Sequence, residues 1–107
     1  MVTVEEAKKQ CNIDHDWHDD DVILKDYINI ATDFVKAETN HPEWTHIEDG
    51  YTKPEDDPTA APVRAKGLIL MVVADMYKNR EFHISGALRS NTIYEYAMSS
   101  LQRYNGF

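Results

Sequence analysis

The sequence predicts an all-α domain, a small bundle of about four helices interrupted by one long loop over residues 40–61. Three observations predict it. Apolar residues recur at helical spacing over 20–38, and a run that is apolar on every side follows Pro62. Between them, Pro42, Pro54, Pro58 and Gly50 exclude a continuous helix. At 107 residues the chain fits a single domain, 1–107, with no room for a second core.

Each element has its own signal. Thr3-Val4-Glu5-Glu6 reads as a capping box, with Thr3 accepting from the amide of Glu6 while Glu6 reaches back. A short helix to about Cys11 follows. The polar turn Asn12 to His18 ends in Asp19-Asp20-Asp21, acids that suit the positive end of the next helix and supply its cap. That second helix is expected from about Asp20 to Glu38. Ile23, Tyr27, Ile30, Ala31 and Phe34 form one face, widened by Leu24, Ile28 and Val35; Lys25, Asp26, Asn29, Asp33 and Lys36 fill the other.

The loop 40–61 is long for a compact domain, and such connections are usually functional or disordered. Within it, Trp44 to Thr52 places an Asp49-Gly50 turn signal between short β-prone segments, which suits a small β-hairpin. Pro62 fits the first turn of a third helix, with Thr59 or Ala61 near its cap. From Val63 to about Arg80, the stretch Leu68 to Ala74 has no polar side, so this helix should be the central one, part of its girdle open to another subunit. Phe82 to Ser90 reads as a loop. Asn91 then caps a last helix to about Arg103, with Ile93, Ala97, Leu101 and Tyr104 on one side and Tyr94 and Tyr96 flanking it.

Charge divides the chain. Residues 1–62 carry 16 acids and 5 bases, residues 63–107 carry 3 acids and 6 bases, and the whole chain is −8. Such a balance disfavours binding duplex phosphates by counterion release. In a head-to-tail assembly, the acidic part of one copy can meet the basic part of the next, which is how rings form. The lone Cys11 makes no intramolecular disulfide. The N-terminus lacks a basic and an apolar signal region, and the longest apolar run, Gly67 to Ala74, is far below a bilayer span. A soluble protein, intracellular where it is made and without membrane contact, is expected.

Several clusters invite a catalytic reading. Asp14-His15-Asp16-Trp17-His18-Asp19-Asp20-Asp21 holds ligand types suited to zinc. Yet nothing fixes His15 and His18 on one face, a calcium loop would need a Gly that is missing, and Lys25 stands where its bidentate Glu belongs. An acidic helix start explains the run without metal. His41, His46 and His83 are scattered among loops, Cys11 lies beside Asn12 and Asp14, where negative charge raises a thiol pKa, and the four glycines are isolated. Asp75 fits a structural role at the end of the apolar run, with Lys78, Arg80 or a neighbouring subunit as partner. No catalytic residue, metal site or cofactor is expected.

Three segments in order resemble the head–tail connector (head-completion adaptor) proteins of tailed bacteriophages. These are Val2 to Lys8 with the acid-rich turn before Ile23, the helix carrying Ile30-Ala31 and ending near Val35, and Pro62-Val63-Arg64-Ala65 leading into Leu68 to Glu81. Met76-Tyr77-Lys78-Asn79-Arg80-Glu81 is similar to the family's most recognisable segment. A closing helix with Leu101 and Tyr104 also fits, although the family often ends in Tyr-Arg and here the order is Arg103-Tyr104. Residues 40–61 are longer than the pattern. The resemblance implies a structural virion protein in the head–tail neck. It implies a cyclic homo-oligomer, about twelvefold when assembled, between the portal protein and a downstream neck or tail protein. DNA would pass through without specific binding, past a wall that repels phosphate. Trp44, Ile47 and Tyr51 are the expected interface residues, since large aromatics in a polar loop need cover, either from a partner or from their own core. Arg80 and Arg89 are further interface candidates. The rivals are an acidic binding module, regulator or antitoxin-like, acting as monomer or dimer, and a metal enzyme using His15 and His18.

Overall fold

The computed structural model describes residues 1–53, 55–80 and 84–103. In chain order it holds α1 (Val4–Gln10), α2 (Asp21–Thr39), β1 (His46–Ile47), β2 (Ala60–Ala61), α3 (Val63–Asn79), α4 (Gly86–Arg89) and α5 (Thr92–Leu101). The molecule is a predominantly helical slab of 44 × 31 × 19 Å, its thin dimension matching two helix layers.

α1 begins with the expected capping box: Glu6 N–H donates to Thr3 Oγ1 at 3.1 Å and Thr3 N–H to Glu6 Oε1 at 3.0 Å. α2 is the longest element. Leu24, Tyr27, Ile28, Ala31 and Val35 line its buried stripe, so the true centre of that face lies slightly round from the expected one, and Ile30 looks outward. Asp20 takes the N-cap position, but its carboxylate does not cap the helix. It accepts from the Tyr77 hydroxyl at 2.7 Å instead, with Arg80 nearby at 3.7 Å, and so ties the start of α2 to the end of α3. The acids remain at the dipole's positive end.

α3 is the hub, packing against α1, α2, α4, α5 and β1. Leu68, Ile69, Val72, Val73 and Met76 are buried, while Leu70 and Met71 are only partly covered. Its N-cap is Pro62, one residue on from the expected position, and it stops where Arg80 turns left-handed at φ 55°.

Three expectations need correction. No hairpin forms at Asp49-Gly50. β1 runs parallel to β2, His46 opposite Ala60 and Ile47 opposite Ala61, because the chain must travel to Pro62 before it returns to the bundle. Gly50, at φ 84°, still makes the turn that its sequence signalled. Within the segment expected as a loop, Gly86–Arg89 forms one helical turn, capped by the Ser85 hydroxyl, which accepts from Leu88 N–H at 3.2 Å; Phe82 and His83 lie outside the described residues. On α5 the inward side is Tyr94 and Leu101 with Ala97 and Met98, while Ile93 is exposed; Tyr104 lies outside the described residues.

Candidate functional site

The loop residues separate by burial. Trp44 is 5% exposed and stacks on His41, ring centroids 4.1 Å apart and planes within 6°. Ile47 is half-buried against the same core. Of the three loop residues expected to face a partner, these two are covered by the chain itself, because β1 pulls the loop's base onto α3. Tyr51 is the exception at 94% exposed. Asp49 holds it out: its Oδ1 accepts from the amides of Tyr51 and Thr52, each at 2.7 Å, and its Oδ2 from the Thr52 hydroxyl at 2.9 Å. The Thr52 and Tyr51 amides, with the Thr52 hydroxyl, hold the Asp49 carboxyl below its ordinary value.

The base of this loop is fastened twice. Thr45 N–H donates to the Thr59 carbonyl at 2.8 Å and Glu48 N–H to the Ala61 carbonyl at 2.7 Å. His46 Nε2 lies 2.9 Å from Asp57 Oδ2. The far end of α5 is stitched alongside. His41 Nε2 donates to the Leu101 carbonyl at 2.9 Å, Arg103 N–H donates to the Thr39 carbonyl at 3.0 Å, and the Arg103 guanidinium sits 2.6 Å from Glu43. Between these elements lies an open cleft of about 500 Å³ lined by Trp44, Pro58 and Ser100 among others.

Arg80 lies over the Tyr77 ring, 4.3 Å from its centroid, and remains about half exposed. The Asp20 carboxylate, which accepts from the Tyr77 hydroxyl, holds that phenol above its ordinary pKa. Arg89 stands in solvent on α4.

The residues of catalytic type fall into separate groups. Asp14, His15 and Asp16 could offer ligand atoms within 4.8 Å of one another, but all three are exposed and Asp14 Oδ1 already accepts from Asp16 N–H at 3.0 Å. His18 belongs to a different group: its Nδ1 is 2.9 Å from Asp21 Oδ2 and 3.4 Å from Lys8 Nζ. Burial pushes the Cys11 thiol up, away from a nucleophile's range, in the direction expected but by desolvation and not by charge. Asp75 pairs with neither Lys78 nor Arg80. Its carboxylate accepts from Ser85 N–H at 2.8 Å and Ser85 O–H at 2.5 Å and so anchors α4.

Lys8 escaped sequence reasoning. It is buried, with Nζ 2.8 Å from Asp21 Oδ1 and 3.3 Å from the His15 carbonyl, and it organises the whole acid-rich turn. The available signal was a helical register that puts Lys8 beside Val4, Ala7 and Cys11 on the inward side of α1.

The model of the phage gp6-like head-tail connector family matches residues 1–104, and the chain belongs to that family. The search of curated proteins and that of solved structures gave no match. The family makes it a structural connector and a component of the virion. Among the described residues no helix is long and apolar enough to cross a membrane.

Proposed function

We propose that copies of this chain close into a ring of roughly twelve in the phage neck, below the portal protein and above the next neck or tail protein, extending the channel through which DNA passes. The observation that carries this reading is the family match over residues 1–104. The net charge of −8 supports the channel role, since an acidic wall repels phosphate and lets DNA slide. Tyr51, held in solvent at the tip of a loop fastened at its base, is the contact offered to the adjoining neck protein. Arg80 and Arg89 add exposed guanidinium groups to the subunit contacts. Trp44 and Ile47 act one step back, as the packed base from which that loop projects. Catalysis has no part in this reading.

Negative-stain electron microscopy of the protein, alone and with assembled portal, tests it. Annular particles, free or seated on the portal, are the expected result. A protein that stays monomeric alone and leaves the portal bare overturns the ring.

A further inference from the structure

α2 carries two stripes. The buried one, through Leu24, Ala31 and Val35, faces the core. The helical repeat sets Val22, Asp26, Ile30 and Asp33 about 180° round from it. All four are exposed, Val22 at 75%, and their spacing of four, four and three residues sets them in one line along the helix. Asp19 extends it at the start of the helix, where a cleft of about 440 Å³ opens beside Val22 and Asp26.

A second surface of opposite sign lies on α3 and α5. Ile93 and Tyr96 are 70% and 71% exposed, and one turn beyond Tyr96 the Ser100 hydroxyl accepts from Arg64 at 3.1 Å, which brings the start of α3 alongside. Arg89 ends α4 a few residues before Ile93. Neither Arg64 nor Arg89 has an ion pair with a described residue, whereas Lys66 is spent on Glu6 and Arg103 on Glu43. Glu95 points away, about 160° round α5 from Ile93.

We infer that the α2 stripe of one copy seats on the α3–α5 surface of the next, with Asp26 and Asp33 meeting Arg64 and Arg89 around Val22, Ile30, Ile93 and Tyr96. Charge complementarity selects the occupant. Each surface repels its own kind, so two copies cannot pair face to face through either, and a head-to-tail contact joins the two. This deepens the ring reading and rests on it for its biological setting, but the contact itself belongs to the free protein.

Sedimentation velocity on wild type and three variants tests the assignment, with circular dichroism confirming each fold. One variant is D26K/D33K, one is R64E/R89E, and the third combines all four changes. Wild type should associate with rising concentration. Each double variant alone should stay monomeric, yet their equimolar mixture should regain association with rising concentration, because the wild-type pair of faces and the sign-exchanged pair both meet in it, copies of the two variants alternating. The quadruple variant, its signs exchanged, should recover self-association. If both double variants associate as wild type does, rings stand and these faces are not the contact. If wild type and the mixture stay monomeric throughout, the inference is overturned, while seating on a portal remains a separate matter.

Discussion

Lys8 reaches from α1 to Asp21 at the start of α2, with Nζ 2.8 Å from Oδ1, although the Lys8 side chain is almost wholly buried. This contact, with the His15 carbonyl at 3.3 Å, fixes the acid-rich turn against the bundle. Lys8→Ala removes both the ion pair and a buried methylene stem, and should cost about 2 kcal/mol in urea unfolding. Lys8→Met keeps the stem and should lose less.

Acid should unfold the protein through its carboxylates. The Lys8 and His18 hydrogen bonds hold Asp21 below its ordinary 3.8. Burial pushes Glu6 up, but Lys66 and the Thr3 amide together hold it below its ordinary 4.5. For a lowered group the unfolded chain binds more protons, so its stabilisation is present above the ordinary value and is lost as pH falls through the folded one. Melting temperature should be nearly level from pH 7 to about 5 and fall below about 4. Asp21→Asn should flatten that fall, and an identical acid limb in the variant would rule Asp21 out as a contributor.

Trp44 is a core residue placed in a loop. Trp44→Ala should cost about 3–5 kcal/mol, and Trp44→Phe, which keeps a ring over His41, clearly less. Quenching by iodide should reach Trp17, which is exposed, and spare Trp44.

The Asp75–Ser85 pair holds α4. Ser85→Ala removes the cap and one bond to Asp75 and should cost about 1 kcal/mol. Amide exchange at Leu88 should accelerate in Ser85→Ala and in Asp75→Ala, and the two changes together should add less than their sum.

Tyr51→Ala should leave stability within about 0.5 kcal/mol of wild type, since the ring touches solvent almost everywhere. Particles assembled with this variant should nevertheless show fewer tails joined to heads. Normal joining would take Tyr51 off the contact surface.

The helices were legible because their signals are local. Thr3 and Glu6 announce one cap, Asn91 another, and the apolar spacing through Leu24 and Val35 marks α2. The central place of α3 followed from a run without a polar side. What stayed hidden depends on distant partners. Nothing near Asp20 says that its carboxylate will be taken by Tyr77, 57 positions away, instead of capping α2. Likewise Asp75 finds Ser85 through a turn of chain that periodicity does not describe, and the pairing of His46 with Ala60 joins residues too far apart for a hairpin signal. Among the expected contact residues, Trp44 and Tyr51 look alike in sequence; only the fold turns one inward and leaves the other out.

The parallel pairing of His46 and Ile47 with Ala60 and Ala61 makes the intervening stretch an excursion closed at its neck. Because closure entropy grows only as the logarithm of length, doubling such an excursion costs about 0.6 kcal/mol. Residues 49–53 are therefore a graft point. A peptide tag or a foreign recognition segment spliced there would be displayed on the scaffold without rewriting the bundle beneath it, and the same tolerance would let related chains change what they grip while keeping one shared frame.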